Sequence, residues 1–298
     1  MEVLSYIINS LRFPNRRDYL KMSAGIRARS QRCRPYWLRH LELCKRFIGT
    51  SLGNTSKAII YGAGGLLDLD SASLDGSLSK LTLVDIDPTL KNRWAKSFPK
   101  LRDTQSLDCQ IFDVTGVMDN WSQAISHAKV GKVSIEEMSL ILRNLKCQPI
   151  EHGLAGIDCA ISLNLLGQLG VYWRDRVISI LSPNPYYFDS PRVLLPSIEE
   201  GLKQSINILE RGHLELLAKF KKVILLTDLY YYYYKESEAF WQIEDALTFL
   251  DKDIRDFFIN CAYALISSDS WLWHIAPQKI ENPDYGEIHE VRAFCFER

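Results

Sequence analysis

Ala58-Ile-Ile-Tyr-Gly-Ala-Gly-Gly65 and Leu81-Thr-Leu-Val-Asp-Ile-Asp87 are the two stretches whose reading decides the fold. Each is a short apolar run without polar alternation, the pattern of a strand covered on both faces. The first ends in a glycine turn and the second in acids. Working outward, Cys109-Gln-Ile-Phe-Asp-Val114, Ile157-Asp-Cys-Ala-Ile-Ser-Leu-Asn164 and Lys221-Lys-Val-Ile-Leu-Leu-Thr-Asp228 repeat the pattern three more times. Helical signals lie between the runs. Pro88 suits a first helical turn. Ser134-Ile-Glu-Glu137 and Ser197-Ile-Glu-Glu200 have capping-box spacing. Ile198, Leu202, Ile206, Leu209, His213, Leu216 and Phe220 make one helical face. A last helix is expected over about 237–265. Trp271-Leu-Trp-His-Ile-Ala-Pro277 and His289-Glu-Val-Arg-Ala-Phe-Cys-Phe296 then suggest an antiparallel pair. This is the pattern of an α/β, doubly wound, mostly parallel sheet with a C-terminal antiparallel hairpin.

The N-terminal part has a different rhythm. Residues 14–48 read as helix, with Cys33, Trp37, His40 or Leu41, Cys44 and Ile48 on one face, and 49–56 as a linker. Residues 1–56 carry eleven Lys/Arg against three acids in a chain of zero net charge. Their apolar residues predict a basic helical segment packed on a core of 57–298, and the charge leaves open an anionic partner such as nucleic acid. The apolar fraction of 47% supports a full core. Seven dispersed cysteines without a CxxC pair suit a reducing compartment. No run is long enough to span a membrane and no secretory signal is read, so a cytoplasmic protein is expected.

In open α/β sheets, ligands sit beyond the carboxyl ends of the strands. Gly62, Ala63, Gly64 and Gly65 would let the backbone turn sharply there, with helix N–H groups expected nearby, and Asp85 could accept hydrogen bonds from a ribose. Asp113 reads equally as ligand or turn residue, and Asn164 ends a buried strand where the crevice opens. The alternative reading of Asp85 or Asp87 is a cap of the helix at Pro88. Tyr230 and Tyr231 either overhang the crevice or extend a strand. The aromatic, proline-rich stretch 170–196 reads as a loop over the site, or as holding a short helix at 175–181. His213 reads as a core imidazole, and His274 and His289 as hairpin-edge residues. Cys33, His40 and Cys44 share a helix face by packing, and no metal is assigned.

These residues resemble the class I S-adenosylmethionine-dependent methyltransferases over 57–298, a Rossmann-like fold. The resemblance places the cofactor on Gly62, Ala63, Gly64, Gly65, Asp85, Ile86, Asp113, Val114 and Asn164, and implies methyl transfer to a small-molecule or other acceptor. Asp228 and Tyr230 are the candidate catalytic residues, and Asp85→Ala is expected to weaken cofactor binding. The family's turn is GxGxG with an acid two residues ahead; here Leu66 and Ile60 stand in those places, and Asp68 is the nearest substitute acid. The chain reads Asn164-Leu-Leu-Gly, without an Asn-Pro-Pro-Tyr tetrad. The alternatives are a methyltransferase-fold binding protein without catalysis and a nicotinamide oxidoreductase, whose GxGxxG fails at Leu67.

Overall fold

The computed structural model describes residues 17–117, 125, 133–148, 154–190, 193–236 and 238–298. Two helices open it, α1 (Arg17–Arg32) and α2 (Arg34–Leu52), where the periodicity predicted one. The break falls at Cys33 because Pro35 starts a new helix, and α2 runs through Leu52, shortening the expected linker. The beginning of the expected helix, 14–16, lies outside the described residues. The predicted face is real: Cys33, Trp37, His40, Cys44 and Ile48 are all buried.

The core follows as β1 (Lys57–Tyr61), α3 (Ser71–Ser77), β2 (Lys80–Asp85), α4 (Lys91–Ser97), α5 (Pro99–Asp103) and β3 (Leu107–Ile111). Next come α6 (Ile135–Arg143), β4 (Cys159–Leu163), α7 (Leu165–Leu181) and the small hairpin β5 (Phe188–Ser190) and β6 (Val193–Leu194). The chain closes with α8 (Pro196–Leu217), β7 (Lys222–Lys235), β8 (Glu238–Asp245), α9 (Asp251–Asn260), β9 (Ala264–Ala276) and β10 (Gly286–Glu297). The main sheet runs β3-β2-β1-β4-β7-β10-β9. β1, β2, β3, β4 and β7 are parallel, and β10 is antiparallel to both β7 and β9. The terminal pair therefore places its last strand inside the sheet.

Strand alternation sorts the core into two layers. Ile60, Leu226, Trp271, Val291 and Ala293 pack with Trp37, Cys44 and Ile48 of α2. Ile59, Tyr61, Leu225 and Phe294 face the opposite way, onto Leu166, Leu214 and Phe258. Each such side chain contributes about 1.5–3 kcal/mol by leaving water. His213 lies in the second layer, bonded to Ser162 Oγ at 2.9 Å, and burial pushes its pKa down to about 3. It is a neutral core imidazole.

Three expectations are corrected. α8 begins at Pro196 with Leu195 before it, so Ser197 is inside the helix and caps nothing; the Ser134–Glu137 capping box does form. The stretch 170–181 is helix rather than loop, because its apolar side (Leu169, Trp173, Val177, Ile180) packs inward, and Tyr187 and Leu194 beyond it are buried. The expected helix over 237–265 is instead β8, α9 and the beginning of β9; residue 237 itself lies outside the described set. The tyrosine tract extends β7 past the end of β4, with β10 paired to one edge and β8 to the other, the strand extension being one of its two sequence readings.

Glu210 on α8 is fully buried, and its carboxylate accepts from Thr248 N at 2.9 Å and from Thr248 Oγ1. Burial outweighs these bonds and pushes its pKa up to about 7 from 4.5. The folded state thus holds the proton more tightly, and stability falls as pH rises from 4.5 through 7. Glu210→Gln, which imitates the protonated form, is expected to gain about 1–3 kcal/mol at pH 8, a gain that disappears at acid pH, in urea unfolding.

Candidate functional site

The carboxyl ends of β1, β2, β4 and β7 bring together most of the residues singled out from sequence. Gly62 and Gly64 have φ of +71° and +47°, which favour glycine. A Cβ on Gly62 would lie 2.8 Å from Leu163 O, at the end of β4. One on Gly64 would meet only Gly62 O at 3.7 Å, so that side of the turn is open. Leu66, in the third-glycine position, also has a positive φ, +61°. Its side chain is 9% exposed and packs in the α2-side core. Core packing thus holds a conformation that glycine would adopt more cheaply.

The turn's amides are committed. Gly62 N and Ala63 N both donate to Val84 O at 3.1 Å, and Gly64 N donates to the Asp85 carboxylate at 2.8 Å. Asp87 N donates to the other Asp85 oxygen at 3.0 Å. Asp85 therefore clasps the turn to the end of β2. Burial pushes its pKa up against these N–H groups, which pull it down. The Ile86 N–H bears on the same carboxylate, so of its roughly four lone-pair sites one can still meet a further donor. No helix starts at the turn; α3 begins at Ser71, with Asp70 capping it. The helix N–H groups expected beside the glycines are absent from that place.

Asp87, rather than Asp85, is the helix cap, accepting from Thr89 N at 2.8 Å. It is 2% exposed and also receives Ser23 Oγ at 2.5 Å and Arg27 at 3.3 Å from α1. Arg29 and Arg32 of the same helix pair with Glu281, in the connection between β9 and β10. Part of the basic N-terminal charge is thus spent on this protein's own acids. Asp113 accepts from Thr115 N, Thr115 Oγ1 and Val117 N at 2.8–2.9 Å, closing its own turn. Val114 is buried and Ile86 half-buried behind it. Asn164 takes the left-handed conformation (φ +47°) at the start of α7; its N donates to Leu226 O. Its Oδ1 is buried without a hydrogen-bond partner among the described residues.

β7 supplies Asp228 and the tyrosines. Opposite it, β10 runs from Glu290 (facing Tyr230) to Val291 (facing Asp228), so Leu229 is an extra, bulged residue. The bulge shifts the alternation. Leu229 and Tyr230 both pack toward the α8 side. Tyr231 returns to the side of Asp228, its ring 4.3 Å from that of His289. The sequence reading placed His289 at an edge; it is instead 3% exposed, between two carboxylates. His289 Nδ1 lies 2.9 Å from Asp228 Oδ2, and Nε2 lies 2.8 Å from Glu287 Oε1. Burial alone would lower its pKa, but Asp228 and Glu287 together raise it to about 9. Imidazolium donates at both nitrogens. Sequence gave no signal of this bridge, because its partners come from different strands.

Below it, His40, Cys44 and Asp68 gather with potential ligand atoms within 4.8 Å of one another. Trp271 Nε1 donates to His40 Nδ1 at 2.9 Å, which leaves the imidazole proton on Nε2, 3.3 Å from Asp68. Both nitrogens are occupied, and burial pushes the Cys44 thiol pKa far up, with Asp68 adding to the effect. This is satisfied packing, with His40 stacked on Trp273 at 4.0 Å. Among the described residues, no helix is long and apolar enough to cross a membrane.

No family model and no curated protein matches the chain. Solved structures similar to it include the methyltransferase domain of bacterial CtHen1 (12% identity, TM-score 0.36, covering 85% of this chain and 98% of that one). Another is the N-methyltransferase NodS from Bradyrhizobium japonicum in complex with S-adenosyl-L-homocysteine (10%, 0.35, 86% and 86%). A third is a TehB-like SAM-dependent methyltransferase from Corynebacterium glutamicum (12%, 0.32, 89% and 97%). Likenesses this low carry no weight in the assignment. The order β3-β2-β1-β4-β7-β10-β9, with β10 alone antiparallel to its neighbours on this path, gives the chain the Rossmann-like fold of the class I methyltransferases.

Proposed function

We propose that the chain is an S-adenosylmethionine-dependent methyltransferase. The observation that carries this reading is the glycine turn, whose Gly62, Ala63 and Gly64 amides are consumed by Val84 O and Asp85. A dinucleotide places its pyrophosphate on free amides at a helix N-terminus. Here those amides are bonded and the helix begins seven residues after Gly64. The turn instead offers bare backbone beside a carboxylate, which suits the neutral ribose of a nucleoside that carries no phosphate. Asp85 would accept a ribose hydroxyl on its remaining lone pair. Gly64 and Gly65 would leave room for the ligand, and Ile86 and Val114 would give apolar surface to a base. Asn164 Oδ1, buried and unmatched, would meet a donor of the amino-acid portion or of the acceptor.

S-adenosylmethionine supplies a methyl group already activated by its sulfonium. The protein's task is then alignment and exclusion of water, for which a crevice between strand ends is suited. The test is a calorimetric titration with S-adenosylhomocysteine. Saturable binding is expected. Asp85→Asn, which keeps the shape but loses the charge and turns its NH2 toward one of the two backbone N–H groups that Asp85 accepts from, should weaken it about tenfold or more, as for a hydrogen bond to a charged group. Absence of binding at millimolar ligand would overturn the reading. Asp85→Ala is a poorer probe than the sequence suggested, because it also frees the Gly64 amide and loosens the turn.

A further inference from the structure

The bridge on β7 and β10 leaves an account unbalanced. Asp228 is 1% exposed, and His289 holds only its Oδ2. Oδ1 is buried without a hydrogen-bond partner among the described residues, as are Tyr231 Oη on the same strand and Asn164 Oδ1 at the neighbouring strand end. All three can accept hydrogen bonds. The charges point the same way. One imidazolium lies between two carboxylates, so the buried Asp228 and His289 together with the half-buried Glu287 keep a net negative charge. Arg29 is close enough to Glu287 to be felt there, yet it and Arg32 are paired with Glu281. Arg27 is paired with Asp87. Asp68, from the loop after the glycine turn, faces His40, whose Nδ1 accepts from Trp271 and which therefore brings no charge. Buried acceptors with surplus negative charge are costly until a cation that donates hydrogen bonds arrives.

We propose that Asp228 is the binding group for the acceptor, and that the acceptor is a basic amine whose N–H groups meet Asp228 Oδ1, with Tyr231 Oη and Asn164 Oδ1 as further acceptors. This rests on the methyl-transfer reading above. A carboxylate or phosphate acceptor would be repelled here, and an alcohol offers one donor and no charge. The bound ammonium first passes one proton to Asp228 Oδ1, and the lone pair this frees forms the new N–C bond. The pair of the broken C–S bond stays on sulfur, the product leaves as the methylated ammonium, and Asp228 returns its proton to solvent.

The experiment compares the full-length protein with Asp228→Asn by thermal unfolding. It uses putrescine, ethanolamine and tyramine against 1,4-butanediol, ethylene glycol and 4-(2-hydroxyethyl)phenol, each with and without S-adenosylhomocysteine. If Asp228 awaits a cation, neutralising it leaves a balanced His289–Glu287 pair, and Tm without ligand stays level or rises. At least one amine raises the wild-type Tm by about 2–4 °C, its alcohol counterpart does not, and the shift disappears in Asp228→Asn. A Tm loss in Asp228→Asn of about 5 °C or more would mark a structural carboxylate and overturn the proposal. Equal shifts from amine and alcohol, a shift that survives the substitution, or no response to any amine would also overturn it. Failure to bind S-adenosylhomocysteine, read by calorimetry on the same wild-type sample, would instead strike the methyl-transfer reading.

Discussion

His289→Leu is expected to lose about 3–5 kcal/mol of folding stability, among the largest effects of any single substitution in this chain. The leucine fills the space but leaves the buried Asp228 and the half-buried Glu287 without the cation they share. Urea unfolding checks the magnitude, and the pH dependence checks the cause. The folded pKa of His289 is about 9 against an ordinary 6.5. Its bridge therefore contributes fully below pH 6.5 and is lost as pH rises through about 9. The wild type should weaken by a few kcal/mol across that window, and His289→Leu should lack that slope. Asp228→Asn is expected to behave in the opposite sense, because it removes surplus charge rather than the cation. The contrast between neighbours in one hydrogen-bonded line separates a charge argument from a packing argument.

Gly62→Ala is the second large effect, at about 2–4 kcal/mol. A left-handed φ of +71° costs an L-residue about 1–2 kcal/mol. The added methyl also meets Leu163 O at 2.8 Å, and that carbonyl belongs to the central strand β4, which cannot yield without disturbing β7. Gly64→Ala makes the control. It has the same sign of φ but open space around it, so only the backbone term of about 1–2 kcal/mol remains. The two should therefore part in denaturation yet converge in the S-adenosylhomocysteine titration, since the Gly64 methyl projects where the proposed ligand approaches. Retained binding in Gly64→Ala would remove the glycine turn from the ligand site.

The amino-acid sequence by itself determined the five parallel strands, the glycine turn, the acid that closes β2 and the terminal antiparallel pair. These are local patterns, apolar runs punctuated by glycine, proline and acid, and backbone physics acts on them over a few residues. It also showed that α2 has a buried face with His40 and Cys44 on it. The tertiary structure alone decided what the polar groups do. Asp85 turned out to clasp Gly64, and Asp113 to close its own turn. Arg27, one of the basic residues of the N-terminal segment, pairs with Asp87, sixty residues away. The tyrosine tract became strand because β8 and β10 offered it edges, and the bulge at Leu229 chose Tyr231 over Tyr230 as the neighbour of Asp228. Asp228 and His289 are separated by sixty-one residues, and their pairing depends on β10 entering the sheet antiparallel beside β7. Hydrophobic period is written into neighbouring residues. A buried charge finds its counter-charge only when the sheet has closed around both.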